Sequence, residues 1–408
     1  MATTDPAPQD QSTAPKPQGR RAHGWARVWV LAVAVVVVVV AGGIGVAVVR
    51  AKDYYVISPG SAARLTASPL CHEGNGGDRL VLPSGSPCAR ISVPPDRGHT
   101  LSGALYMVDV LVGQSSPLQY LLGKLGLLQS FDQGAEMVPA QSVLGTTPPD
   151  QLSCQSAQQM TGATSSASVV ALRYLGYNAT EIDHGAQLYE VAPGSPAEAA
   201  GLRCDDVVTA VDGQPVRTSA DLVSAIRAHA PGETVRLTVQ RTASDGEQKN
   251  EVVPARLGTP PASSVSAEDH GGFLGVVSVT HTTYFLPFDV DIEVGPVGGP
   301  SAGLALTLAI IDILSGGDIT AGHAVAATGT IELDGKVGDV GGVAQKTVAV
   351  RRAGAQIFFV PADQFKAAER EAGPVKIYPV KTLDQALDDL RSLGGHVPPP
   401  HASSAPAS

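Results

Sequence analysis

The chain of 408 residues is short of aromatics: Phe, Tyr and Trp together make up 4% of it. Its cores must therefore be filled by small aliphatic side chains rather than by stacked rings. Cations are also in deficit, with 28 Lys and Arg against 38 Asp and Glu and a net charge of −10. That balance argues against nucleic-acid binding, which needs clustered positive charge to neutralise phosphates. No glycine run ends in Gly-Lys-Ser or Gly-Lys-Thr, so there is no P-loop, and no ATP-driven motor is expected within the chain. No Cys-x-x-Cys pair and no His cluster offers a metal site. Neither a metal nor a cofactor is expected.

What is present begins with an apolar run from Val28 to Val49 that carries no charge. About 20 such residues span a bilayer as a helix. Lys16, Arg20, Arg21 and Arg27 precede the run, Trp25 and Trp29 suit a membrane interface, and Arg50 and Lys52 close the far end. A cleaved signal peptide is the competing reading, but the run is longer than a signal core and its basic lead is longer than usual. The preceding cations place the N-terminus in the cytoplasm and everything after the span outside. All four cysteines, Cys71, Cys88, Cys154 and Cys204, follow the span, in keeping with an oxidising compartment. Cys71 and Cys88 bracket a loop rich in Gly, Pro and Ser, which favours a local Cys71–Cys88 disulfide and leaves Cys154–Cys204 as the other pair. Four cysteines allow three pairings, and the sequence does not choose among them.

The chemistry concentrates near residue 300. Glu293 to Gly303 reads E-V-G-P-V-G-G-P-S-A-G and feeds into the apolar run Leu304 to Leu314. A glycine-rich turn thus delivers Ser301 to the first turn of a buried helix, and Pro300 suits that start because its missing N–H would be unpaired there. Free backbone N–H groups at a helix start can hold an oxyanion, and Gly299, Pro300 and Ala302 form the expected backbone wall. A serine needs a base. In Val337 to Gly354, a glycine turn leads into a helix that ends at Gly354. Lys346 lies three residues after Val343 and four before Val350, on the apolar face of that helix. A lysine held against an apolar face loses solvation, which lowers its pKa and lets it act as a base.

These two segments resemble the proteolytic domain of the Lon family of serine proteases, which use a Ser–Lys dyad. The matching residues are Gly299-Pro300-Ser301-Ala302-Gly303 and Gly341-Gly342-Val343-Ala344-Gln345-Lys346, with Thr328-Gly329 between them at the family's Thr-Gly-Glu strand end. The resemblance covers about Gly271 to Leu393. It implies that Ser301 is the nucleophile, that Lys346 is its base, and that Thr328 hydrogen-bonds the lysine. Two departures stand out: ATP-dependent members usually carry Asp where Gly298 stands, and the glutamate after Thr-Gly is Thr330 here.

Upstream, Gly194 to Leu202 reads G-S-P-A-E-A-A-G-L and is followed by the strand Val207 to Val211, an Asp212-Gly213 hairpin turn, and a helix capped by Thr218 or Ser219. Val235, Leu237 and Val239 then alternate as a half-buried strand. This order resembles a bacterial PDZ domain, with Asp205-Asp206 where Gly-Asp is usual. Such domains add an extended peptide or C-terminus to a sheet edge. The nearest candidate for a carboxylate-binding loop is Leu175-Gly176-Tyr177. Tyr54 to Ala62, directly after the apolar run, also looks like the opening of membrane-anchored bacterial PDZ–Lon-type proteases.

The expected architecture is α+β with a single N-terminal transmembrane helix. Residues 1–23 form a disordered cytoplasmic tail, 24–50 the span, 51–160 an extracytoplasmic β-rich region, and 161–258 an inserted PDZ domain. Residues 259–270 form a linker, 271–395 the Lon-type proteolytic domain, and 396–408 a disordered tail. The expected activity is ATP-independent serine endopeptidase cleavage of unfolded or flexible proteins, with the PDZ domain selecting or gating them, in some cases through a C-terminal peptide. Two rivals were weighed. Gly299-x-Ser301-x-Gly303 fits the nucleophile elbow of an esterase, but no acid and histidine follow at useful spacing. A membrane-tethered PDZ scaffold with an inactive protease-like domain would have no need of a buried lysine. If the basic lead sets orientation, protease added to intact cells or spheroplasts degrades the C-terminal bulk. Protection of that bulk, while an exposed control is digested, would contradict the assignment.

Overall fold

A helix that is apolar all round cannot be stable against water unless something covers it. The first helix, α1 (Ala22–Arg50), is of this kind. Its most apolar 18-residue window, within Trp29–Asp53, has a mean hydropathy of 2.9, and the helix is long and apolar enough to cross a membrane. The computed structural model describes residues 22–66, 71–73, 80–82, 84, 86–145, 147–243, 247–261 and 271–400. Of the segments expected to be disordered or linking, 1–21, 262–270 and 401–408 lie outside these. Residues 396–400 do not behave as a free tail: His396 N–H donates to Asp318 O, and Pro398 O accepts from Tyr174 OH and from Arg391.

After a single turn at Ala51–Asp53, the chain enters β1 (Tyr54–Thr66). There follow β2 (Cys88–Ser92), β3 (Ala104–Gln114), helix α2 (Pro117–Lys124), β4 (Glu136–Pro139) and the long helix α3 (Pro149–Tyr174). Ser116 starts α2 with a capping box to Gln119. A second group comprises β5 (Thr180–Val191), β6 (Val207–Val211), helix α4 (Ser219–Arg227), β7 (Thr234–Thr242), β8 (Gln248–Arg256) and β9 (Val276–Phe285). The last stretch holds β10 (Asp291–Glu293), α5 (Gly303–Leu314), β11 (Ala324–Ala327), α6 (Val343–Arg352), β12 (Ile357–Pro361), β13 (Lys376–Val380) and α7 (Leu383–Ser392).

The strands form two main sheets. The larger has eight strands in the order β10-β2-β1-β3-β11-β12-β13, with β4 also pairing with β1. β3, β11, β12 and β13 are parallel neighbours, and β12 is buried along its whole length, as expected of a parallel strand covered on both faces. On one face, α5 lies buried except at its last residue, packed with α3 and α7 around Leu65, Ile91, Leu105 and Met107. On the other face, α6 packs through Val343, Ala349 and Val350 against Val108, Phe358 and Val360. Alternate residues of β3 thus feed opposite cores, the period-two signature of a strand with both faces covered. The second sheet has the order β8-β7-β6-β5-β9, and its core joins Leu188, Val208, Val235 and Leu237 to Leu222 and Ile226 of α4.

Three expected boundaries are corrected. The β-rich region 51–160 is no separate body, because β1 and β3 lie in the middle of the sheet that also holds β11 to β13. The residues from 161, expected to open the PDZ domain, are the second half of α3, and Ala167, Val170 and Ala171 pack in the α5 core. The stretch after 271, expected to open the proteolytic domain, instead leads into β9, which pairs with β5 and closes the PDZ sheet. In each case the local element was legible, but its partner is distant in sequence. Both disulfides are formed: Cys71–Cys88, and Cys154–Cys204, which ties α3 to the loop before β6.

Candidate active site

The segment from Glu293 to Gly303 leaves β10 and turns through Gly295 and Gly299, both at positive φ, into a single 3₁₀ turn, Pro300–Ala302, that runs on into α5. Gly303 lies where a side chain could not: a Cβ there would fall 2.8 Å from Ile331 Cγ2 and 2.9 Å from Ile331 N. The helix start can therefore sit against the backbone of 328–331. Leu304 N–H donates to Gly329 O at 3.1 Å, and Gly329 N–H donates to Ser301 O at 3.0 Å. Ser301 is thus fixed through its main chain from both sides.

The second half of the site comes from α6. Gly342, at φ 66°, begins that helix, and Lys346 N–H donates to Gly342 O at 2.9 Å. One turn into α6, the Lys346 side chain is 2% exposed. Its Nζ donates to Ser301 Oγ at 2.6 Å and to Thr328 Oγ1 at 3.0 Å. Thr328 is itself wholly buried, and its Oγ1 donates to Ser301 O at 3.2 Å. The structure therefore brings Ser301, Lys346 and Thr328 into one hydrogen-bonded cluster, built from three elements. Burial pushes the Lys346 amine down to about 8, against the smaller opposing pull of the Asp109 carboxylate on β3. That carboxylate accepts from Ser61 N–H at 2.6 Å and Ser61 Oγ at 2.8 Å, at the bulge in β1 opposite it.

The backbone wall differs from expectation. Pro300 has no N–H, and Gly299 N–H is committed to Ser156 O of α3 at 2.8 Å. Ala302 N–H lies inside the Pro300–Ala302 turn, which leaves the Ser301 N–H, at the second position of that turn and at the cavity, to meet an oxyanion. A cavity of about 580 Å³ opens here, lined by Ser301, Lys346, Thr330 and Asp109 and walled by the apolar Met107, Met160 and Val297. The departure at Gly298 has a physical reason. A Cβ at that position would lie 2.8 Å from Ser156 Cβ, so α3 occupies the space an aspartate would need.

The peptide-binding expectation for Leu175-Gly176-Tyr177 does not hold. These residues end α3: Leu175 packs on the α5 core, and Tyr177 stacks edge-on to Phe288 and meets Arg97. The edge strand of the PDZ sheet beside α4 is β9. It is preceded by Gly272-Phe273-Leu274-Gly275, where Leu274 and Gly275 offer N–H groups without a backbone acceptor among the described residues. Gly275, at φ 83°, lies against Ser195, where a Cβ would fall 2.4 Å from Ser195 Cβ. Ser219 Oγ, at the start of α4, donates to Ser278 O on β9 at 2.9 Å. The sequence signal was present as Gly-Phe-Leu-Gly-Val at 272–276, but it follows a Pro/Ser-rich stretch and was read with the next domain.

Comparison with known proteins agrees with this division. Residues 173–253 match the PDZ domain family, and residues 278–390 match the Lon protease (S16) C-terminal proteolytic domain. The first eight matched residues of the latter lie on β9, within the PDZ sheet. Lon protease 2 of Bacillus subtilis is 32% identical over 125 residues, which cover 29% of this chain and 22% of that protein. Lon protease of Haemophilus influenzae is 35% identical over 118 residues, 28% of this chain and 14% of that protein. A probable periplasmic serine endoprotease, DegP-like, of Rhizobium meliloti is 38% identical over 81 residues, 20% of this chain and 15% of that protein. The chain spans less than a quarter of each of these relatives. It carries a PDZ domain and a Lon-type proteolytic domain.

A lysine whose folded pKa lies near 8 rather than at its ordinary 10.5 is a liability to stability. Below about pH 8 it is charged in both states, and burying that charge costs about 3 kcal/mol. The cost is relieved as pH rises from about 8 to the ordinary 10.5, and above that the amine is neutral in both states. Lys346→Met, which keeps the volume and removes the charge, is therefore expected to raise the unfolding free energy at pH 7 by about 1–3 kcal/mol, after allowance for two lost hydrogen bonds. Chemical denaturation at pH 7 and near pH 10.5 checks it: the variant's advantage should vanish at the higher pH. A less stable variant at pH 7 would contradict the account.

Proposed function

We propose that this chain, with its PDZ domain and Lon-type proteolytic domain, is a membrane-anchored serine endopeptidase that works without ATP and uses Ser301 and Lys346 as its catalytic pair. The single observation that carries the reading is the contact between the buried Lys346 amine and Ser301 Oγ at 2.6 Å. With a pKa of about 8, about a tenth of the lysines are neutral at pH 7. In that form an amine N–H donates to Thr328 Oγ1, and the lone pair faces the serine hydroxyl. Ser301 Oγ attacks the peptide carbonyl while Lys346 Nζ takes its proton. The Ser301 N–H at the helix start holds the oxyanion. Lys346 then gives the proton to the leaving amine, whose C–N bond breaks to leave an acyl-serine. Water, deprotonated by the same amine, releases the acid and restores the serine.

The remaining elements fit around this chemistry. α1 anchors the chain, and the basic residues before it set the catalytic domain outside the cytoplasm. The free edge of β9, with the Leu274 and Gly275 N–H groups at its start, suits an extended peptide ending in a carboxylate. Substrates are flexible or already unfolded segments, because the chain supplies no motor to unfold them.

The test is cleavage of an unstructured protein by the purified chain in detergent. Ser301→Ala abolishes cleavage. Lys346→Arg also abolishes it, because a guanidinium does not release its proton in this range. For the native protein, activity rises with pH to a half-maximum near 8, the value at which the amine becomes neutral. Full activity in a folded Lys346→Arg protein would exclude the pair.

A further inference from the structure

A patch of leucines beside α1 is left unexplained by proteolysis alone. α2 packs the half-buried Leu122 against the small core of Val56, Leu128 and Ala135. Yet Leu118, Leu121 and Leu125, on the stripe adjoining Leu122, are 64%, 40% and 61% exposed. Leu127 and Phe131, in the following turn and helix, extend the surface, and Phe131 is 74% exposed. Single exposed apolar residues need no explanation, but five large ones within fifteen residues mark a surface with an occupant.

The surroundings name the occupant. α2 packs directly on α1 and on the Ala51–Asp53 turn at its end. Lys124 Nζ donates to Tyr54 OH at 3.1 Å and sits 4.5 Å from the centre of the Tyr54 ring and 5.5 Å from that of Tyr120. The Tyr54 and Tyr120 rings pack 5.4 Å apart, and Arg50 and Lys52 lie at the same level of the chain. Tyrosines and long cations at the mouth of an apolar helix are what the headgroup layer accommodates.

We propose that the leucine face of α2 and the turn after it rests in the interface of the bilayer that α1 crosses, and so holds the Ser301 cleft over polypeptides anchored in the same membrane. This rests on reading α1 as a span. The chain itself sets the height of the cleft. Ser61, in the cavity wall, is eight residues beyond Asp53, and eight extended residues reach at most about 28 Å. The first exposed residues of a membrane-anchored protein lie within that distance. A soluble polypeptide lacks the raised local concentration that a shared membrane gives. The substrate class is therefore membrane-anchored protein, cut in the flexible stretch next to its anchor.

The test uses the full chain in liposomes. The chain has two tryptophans, Trp25 and Trp29, so Trp25→Phe/Trp29→Phe/Leu125→Trp carries a single reporter on the face. Lipids brominated in the acyl chain should quench it; an unquenched reporter in a vesicle-bound protein overturns the proposal. In parallel, Leu121→Glu/Leu125→Glu is assayed on one flexible sequence presented on a membrane anchor and free in solution. Cleavage of the anchored form is expected to fall by about tenfold, with the free form unchanged. Equal retention of both activities, or an unquenched reporter with an oligomer that the Glu variant dissociates, assigns the face to another occupant. Failure of the chain to float with vesicles would instead refute the span, and absent cleavage beside a quenched reporter would refute the catalytic reading alone.

Discussion

A charged amine is expelled from a protein interior unless something keeps it there, and the proteolytic domain is organised around keeping one in. Lys346 is enclosed by the sheet, by the first turn of α5 and by α6 itself. It has two oxygen partners, Ser301 Oγ and Thr328 Oγ1, and no carboxylate among its hydrogen bonds. Two hydroxyls satisfy the N–H groups without holding the charge as a carboxylate would. The Asp109 carboxylate acts on it through space, held in place by Ser61 at a β1 bulge where Gly60 leaves no room for a side chain. Burial outweighs that pull, so part of the amine is neutral near neutral pH.

The same constraint explains why the loop that carries Ser301 is fixed from several sides. Ser301 must stay within reach of an amine that cannot move far. Its carbonyl accepts from Gly329 and Thr328, and the preceding Gly299 is held by Ser156 of α3. α3 is in turn tied to the PDZ domain by Cys154–Cys204, and the Gln151 side chain both donates to Val191 O and accepts from Val191 N–H. The first turns of one helix thus hold both the Ser301 loop and the PDZ sheet. β9 runs from the PDZ edge through β10 into that loop, so the two domains share two connections at the site.

Much of the site was legible in the sequence because its chemistry is local. Pro300-Ser301-Ala302-Gly303 and the placement of Lys346 among valines are each contained within one element. The apolar run and the Thr218 cap of α4 were likewise readable. What the sequence hid was partnership across distance. β9 alternates like any strand, and nothing in Val276 to Phe285 says that it pairs with β5 and not with β10. Leu175-Gly176 looks like a glycine loop near a strand, but it ends a helix whose apolar face, Val170 and Ala171, belongs to α5. Gly299 had the right position for an oxyanion donor, yet its N–H had been taken by Ser156, more than a hundred residues upstream.

The central claim is that a neutral Lys346 activates Ser301. The most direct measurement is the rate at which a peptidyl acylating reagent modifies the protein as pH is varied, with the adduct mapped by mass spectrometry. The account requires the adduct on Ser301 and a rate that climbs to a half-maximum near pH 8, where the buried amine loses its proton. An adduct elsewhere, or a Ser301 rate indifferent to pH between 6 and about 10, would contradict it.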